Sequence, residues 1–423
     1  MRKYDSYRDS GVKWMGEIPS HWQAVRIKWL LNERIERSED GEGTPLSMSQ
    51  KYGLIPTSEM DTVPNLAANY IGAKRVYTND LVFNKLKAHL GVFAISNNDG
   101  LVSPDYAVYT PTPRTFLPYL EYLFHTQLYI SEFKKKTTGV AIGFTRLYTD
   151  GLFAIYSIYP PLEEQKSIVA YLNKKTAEID EQVSKVEREI ELLKEYKQAE
   201  IARVVTHGLN PDILTKSSGI SWIGDIPAHW TEIRFATLCK QKSICNCIDE
   251  ELLSVYLDRG VIRFSEDENR RTNPTSKDLS KYQLVEPGDF VLNNQQAWRG
   301  SVGVSYYRGI ISPAYFIFTL SHKIDTSFAN YMFRSKNHIP YYYICSKGIG
   351  SIQRNLDWDQ LKQKKLFLPP IEEQREIVSY IEHKTTEIDR LVVELTYQVE
   401  YLKEYKQRLI ADVVTGKINV QPD

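Results

Sequence analysis

The sequence predicts an α+β protein: two α/β domains joined by two long antiparallel helices that form a coiled coil, with an internal pseudo-twofold repeat. Three observations carry this reading. Ser10–Trp22 reads SGVKWMGEIPSHW, and Ser218–Trp230 reads SGISWIGDIPAHW, 208 positions later. Pro160–Val205 opens PPLEEQKSIVAYLNKKTAEID, and Pro369–Val414 opens PPIEEQREIVSYIEHKTTEID, 209 positions later. The stretches between these blocks, 23–160 and 231–368, are of similar size and only faintly alike. A frame kept twice around two divergent inserts suits one scaffold that reads two different things.

In chain order, the organisation is a first globular domain with an N-terminal scaffold segment (1–160), a central helical region (161–208), a second globular domain (209–368) and a distal helical region (369–423). His21 and His229 fall at equivalent places in the repeated Ile-Pro-x-His-Trp turn, where a structural role explains them. Both inserts read as mixed α/β. Short apolar runs (Leu101-Val102 and Tyr106–Tyr109; Gly309–Ser312 and Tyr315–Leu320) sit among Gly, Pro, Asn and Asp turns. Faint correspondences survive: Asn79–Asn84 answers Gly288–Asn293, Gly91 answers Gly300, and Ser103–Tyr106 answers Ser312–Tyr315.

The helices follow from periodicity. Ile179, Val183, Val186, Ile190 and Leu193 recur at steps of 4, 3, 4 and 3, as do Ile388, Val392, Leu395, Val399 and Leu402. That is the 3.5-residue period of a coiled-coil seam. Each helix opens on a Pro-Pro pair with acids in the first turn, facing the positive end of the helix dipole. Gly208 and Gly416 close them. Unbroken, a helix from Leu162 to Thr206 spans roughly 65–70 Å at 1.5 Å per residue. Polar residues at Asn173–Thr176 and Glu382–Thr386 mark places where either could break. Two seams in one chain are most economically paired with each other. By the repeat, the N-terminal segment should then pack near the end of the distal helix.

Lys plus Arg and Asp plus Glu balance at 53 each. The two helical stretches, Leu162–Thr206 and Ile371–Thr415, hold 20 acids and 14 bases, which leaves 33 acids and 39 bases elsewhere. The divergent parts are therefore mildly basic, compatible with a polyanionic partner. The four cysteines (239, 245, 247 and 345) lack zinc-ribbon spacing and read as free thiols. No run of 18 apolar residues occurs, so a cytoplasmic protein with no membrane partner is expected.

Two paired segments in the inserts carry the side chains that read DNA elsewhere. After the shared Asn, the first insert has Lys85, Lys87 and His89; the second has Asn293, Asn294, Gln295, Gln296 and Arg299. Asn and Gln can pair with adenine, Arg and Lys with guanine, and all of them can hold phosphates. A second pair lies just before each long helix: Gly143-Phe144-Thr145-Arg146, and Gly350 to Asn355 with Gln353 and Arg354. Signatures of catalysis are missing. The sequence has no G-x-x-x-x-G-K-[ST] loop, no [DN]-P-P-[YF] tetrapeptide, no H-E-x-x-H and no G-x-S-x-G, and no metal site is expected.

The repeated W-[MI]-G-[ED]-I-P-x-H-W block and the repeated P-P-[LI]-E-E-Q helix start resemble those of the specificity subunits of type I restriction–modification systems, over the whole chain. That resemblance implies two target-recognition domains, each reading half of a bipartite site in double-stranded DNA, held apart by the helical regions. It implies no catalysis and no cofactor in this chain. S-adenosylmethionine, and ATP with Mg, would belong to partners: two methyltransferase subunits and, with them, restriction subunits. Trp14, Gly16, Ile18, Pro19 and Trp22, with Trp222, Gly224, Ile226, Pro227 and Trp230, match the family opening. Pro161, Glu163, Glu164 and Gln165, with Pro370, Glu372, Glu373 and Gln374, match its helix start. The resemblance gives these positions scaffold and methyltransferase-docking roles. It carries over no base-reading residue, because the recognition domains diverge.

Overall fold

The computed structural model describes residues 2–49, 52–61, 69–139, 145–257, 259–266, 278–349 and 353–421. The chain folds as two compact units, 1–186 with 397–423, and 187–396. Each unit holds one α/β domain and half of each long helix.

In unit 1 a four-stranded antiparallel sheet runs in the order Leu31–Arg34, Tyr106–Pro111, Leu81–Asn84, Phe93–Ile95. Alternation along the central strand decides its two faces. Phe83 joins an aromatic core with Phe93 (centroids 4.4 Å), Phe133 (5.9 Å) and Phe124 (6.3 Å) under the helices Leu117–Phe124 and Gln127–Lys136. Val82 points the other way, into a smaller cluster with Leu46, Leu54, Val76 and Val108. Unit 2 repeats the plan with Cys239–Lys242, Tyr315–Leu320, Phe290–Asn293 and Val302–Val304. Phe290 and Leu292 face the helices Thr326–Arg334 and Ile339–Ile344, while Val291 packs with Val255, Val285 and Ile317. Strands buried on both faces read as apolar runs, which is why the sequence marks them well.

The long helices run unbroken over Leu162–His207 and Ile371–Val414. The polar stretches that could have interrupted them cause no break. In unit 1, Ile179, Val183 and Val399 are buried; in unit 2, Ile388 is buried. Val186, Ile190, Leu193, Val392, Leu395 and Leu402 are half-buried, as befits a seam with only one partner helix. Asp180 meets Lys406 at 2.7 Å in unit 1, and Lys197 meets Asp389 at 2.6 Å in unit 2. In unit 2, Glu200 meets Tyr380 (2.8 Å) three residues beyond Lys197, while the partner steps back from 389 to 380. The pairing is therefore antiparallel. These exposed ion pairs set register more than they add stability.

The repeated blocks turn out to bind each other. Trp22 Nε1 donates to Glu164 (2.7 Å), and His21 Nε2 lies 2.6 Å from the same carboxylate. Trp230 Nε1 donates to Glu373 (3.1 Å), with His229 at 2.7 Å. The N-terminal segment also closes on the end of the distal helix, as the repeat predicted. Tyr7 Oη donates to Gly416 O (3.0 Å), and Asn419 N to Arg2 O (2.9 Å).

Candidate nucleic-acid interface

The loop after the central strand is built the same way in both units. Asn84 Oδ1 accepts from Leu86 N (3.1 Å); Asn293 Oδ1 accepts from Gln295 N (3.0 Å) and Gln296 N (3.2 Å). A single 3₁₀ turn follows (Ala88–Leu90; Ala297–Arg299), closed by Gly91 (φ 78°) and Gly300 (φ 100°). In that left-handed conformation a side chain is strained, which explains glycine at both places. A second element then docks on the loop. Leu147 N donates to Lys85 O (2.9 Å) and Leu356 N to Asn294 O (3.2 Å). Thr138 pairs with Arg146 across one hairpin, and Lys347 with Asn355 across the other. The two candidate segments that lie far apart in sequence are thus joined into one surface in each unit.

On that shared backbone the side chains differ. In unit 1, Lys87 is exposed, while Lys85, His89, Thr145 and Arg146 are half-buried. Burial, and then the neighbouring Lys74, hold the Lys85 pKa below its usual value. Arg146 reaches Asp105 at 3.6 Å. His89 Nδ1 is buried without a hydrogen-bond partner among the described residues. A half-open concavity of about 440 Å³, lined by Ser47, Met48, Asn84, Lys87 and Tyr106 among others, adjoins the loop.

In unit 2, Arg299 is exposed and Gln295 and Gln296 are half-exposed. Asn293 is buried and Asn294 Oδ1 accepts from Leu356 N (2.9 Å), so both shape the loop. Arg354 is locked in place: its Nε donates to Ser346 Oγ (3.1 Å), its Nη2 to Ser346 O (2.8 Å), and its guanidinium lies 4.4 Å from the Tyr343 ring centre. Gln353 starts the strand Gln353–Leu356, opposite Ile349. Gly143, Phe144, Gly350, Ser351 and Ile352 lie outside the described residues. The structure adds residues that motif reasoning missed, Trp298 and Tyr343 in unit 2 and Lys134–Lys136 in unit 1. Continuing the 209-residue offset through the inserts would have paired them.

The helix-start residues need a correction. The resemblance gives Gln165 and Gln374 scaffold and methyltransferase-docking roles; both are fully buried, which fits the scaffold role and not the docking one. Gln165 accepts from Phe116 N (2.9 Å) and donates to Pro160 O (2.9 Å). Gln374 accepts from Asp325 N (2.7 Å) and donates to Pro369 O (2.9 Å) and Lys323 O (3.1 Å). Each fastens its long helix to the start of a short helix in its own domain and is closed off from the surface. Glu164 and Glu373 are committed to the Trp–His clamps. Pro161 and Pro370 remain exposed.

Among the described residues, no group of three or more His, Cys, Asp or Glu could hold a metal ion, and no helix is long and apolar enough to cross a membrane. All four cysteines are free, Cys239 and Cys345 being buried.

Comparison with known proteins agrees with this architecture. Residues 19–192 and 243–399 match the family described as the type I restriction modification DNA specificity domain. The chain is 23% identical over 436 residues to a putative type I restriction enzyme MjaX specificity subunit of Methanocaldococcus jannaschii, covering 96% of each. It is 24% identical over 316 residues to the type I restriction enzyme EcoBI specificity subunit of Escherichia coli, covering 69% of this chain and 64% of that protein. Among solved structures, one from a study of complex assembly and conformational transition in a type I R-M system aligns at TM-score 0.66 and 15% identity, covering 95% of this chain and 99% of the other. The HsdS subunit of Thermoanaerobacter tengcongensis aligns at TM-score 0.56 and 15% identity, covering 95% and 98%.

Proposed function

The chain belongs to the type I restriction–modification DNA specificity family, and from that premise we propose that it reads a bipartite DNA site, one half with each unit. Membership makes it a DNA-specificity component and not a catalytic subunit. One observation carries the bipartite reading: the same loop-and-hairpin surface is assembled twice on the same backbone hydrogen bonds, with cationic side chains in one copy and amide and arginine side chains in the other. A structural element would keep its chemistry through a duplication; a reader would diverge. Lys85, Lys87, His89, Thr145 and Arg146 are the proposed contacts of unit 1. In unit 2, Gln295, Gln296 and Arg299 are proposed to reach bases or phosphates, Gln353 and Arg354 lie beside them, and Asn293 and Asn294 shape the loop.

Two methyltransferase subunits dock on this chain in the proposed complex and restriction subunits join them; S-adenosylmethionine and ATP with Mg serve those partners, in the cytoplasm. The near-neutral charge of the chain fits a subunit whose partners supply part of the phosphate contact. The test is a domain exchange. Replacing residues 23–160 with the matching domain of a specificity subunit of different target should change one half of the methylated site and leave the other intact. Change in both halves from that single exchange would defeat the proposal.

A further inference from the structure

The backbone bonds that join loop and hairpin use residues 85, 138 and 147 in unit 1 and residues 294, 347 and 356 in unit 2, a constant offset of 209. That register compares the helix beside each loop position by position. In unit 1, the helix Gln127–Lys136 ends in Lys134, Lys135 and Lys136. At the counterparts of Lys134 and Lys135, unit 2 has Tyr343 and Ile344, which end the helix Ile339–Ile344. They are 50% and 45% exposed, a large apolar surface beside the polar loop. Tyr343 is not loose: Arg354 stacks on it, and Trp298 lies 6.3 Å away with its Nε1 bonded to Gln295 O (3.1 Å). Arg299, next to Trp298, and Lys347, four residues after Tyr343, are exposed. The result is a fixed apolar step rimmed by cations and amides, at the place where the sister unit has a lysine turn.

Cations and amides suit phosphates and base edges, but an apolar step needs an apolar feature of the duplex. In the major groove that feature is the 5-methyl group of thymine. We propose that Tyr343 and Ile344 contact a thymine methyl in the half-site read by unit 2, whereas unit 1 makes backbone contacts through Lys134–Lys136 at the matching place. This rests on the bipartite reading above.

The probe is a set of target duplexes in which each thymine is replaced, one at a time, by uracil, which removes only the methyl group. Binding is measured with the chain in complex with its methyltransferase subunits, the halves having been assigned by the domain exchange. One uracil in the unit 2 half-site should weaken binding about fourfold, the weight of one buried methyl group. Ile344→Ala and Tyr343→Ala should bind the thymine and uracil duplexes alike at that position. Lys134→Ala with Lys135→Ala should flatten the salt dependence of binding without altering the uracil pattern. The proposal falls if the unit 2 half-site has no thymine on either strand, if none of its uracils matters, or if the uracil effect survives in both variants. A wild-type complex that fails to prefer its target over a scrambled duplex would remove the bipartite reading itself, and this proposal with it.

Discussion

Gly416 and Gly208 each lie just past the end of a long helix, one position apart in the repeat, and they should not tolerate alanine equally. Both are left-handed (φ 79° and 74°), so alanine costs each about 1 kcal/mol in backbone strain. Their surroundings differ. A methyl group on Gly416 would lie 2.5 Å from Pro19 Cδ and 2.8 Å from Trp22 Cζ3, whereas on Gly208 it would meet Glu373 Oε1 at 3.2 Å and Trp230 at 3.6 Å. Overpacking of the first kind adds about 1–3 kcal/mol. Gly416→Ala should therefore destabilise unit 1 by about 2–4 kcal/mol, against about 1 kcal/mol for Gly208→Ala in unit 2. Urea titration with hydrogen exchange followed on peptides containing Trp22 and Trp230 reports each unit separately. With a slope of about 2 kcal/mol per molar, the Trp22 midpoint should fall by 1 M or more in the first variant and the Trp230 midpoint by about 0.5 M in the second. Equal shifts would mean that the N-terminal segment does not close tightly on the distal helix end, and that this half of the repeat is misdescribed.

Further outcomes follow from the clamps, the buried histidine and the helices. Trp22→Phe removes the indole bond to the half-buried Glu164 and should cost unit 1 about 1–2 kcal/mol; an unchanged urea midpoint would show that the bond contributes nothing. Burial lowers the pKa of His338 to about 3. The folded chain therefore stays neutral there while the unfolded chain takes up a proton near pH 6.5, so stability is full above that value and declines as the pH falls below it. Between pH 7 and pH 5 unit 2 should lose about 2 kcal/mol, and His338→Gln should flatten the dependence. Removing one heptad from each long helix keeps the seam in phase and shortens it by about 10 Å. The methylated site should then have a shorter spacer with both half-site sequences unchanged; altered half-sites would refute the helices as a spacer.

Much of this architecture was legible because duplication writes each structural requirement twice. The seams from Ile179 and Ile388, the apolar central strands and the closing glycines all emerge from period and position, since burial of one face leaves a periodic trace. What the sequence concealed was which polar residues face each other. Glu164 and Gln165 look like solvent-facing first-turn residues, and the sequence offers no sign that Trp22, 142 positions away, donates to one and Phe116 to the other. Polar side chains buried by distant partners leave no periodicity, so the burial of Gln165 and Gln374 is not legible from their first-turn positions. The candidate interface was legible in part. Paired segments pointed to Gln295 and Arg299; Tyr343 and Lys134 share the same 209-residue offset but no motif, and the fold is what sets their helix ends beside the loops.

The central claim is that two divergent surfaces on one repeated frame read two halves of one site. Methylation mapping of genomic DNA tests it most directly, in cells that express this chain with its methyltransferase and in parallel with the Gln295→Ala, Gln296→Ala, Arg299→Ala variant. The account predicts a two-part modified motif in the first case, and in the second a motif with one half relaxed and the other unchanged. An intact two-part motif in the variant would contradict the placement of the reading surface. A wild-type complex that assembles but modifies no two-part motif would contradict the account as a whole.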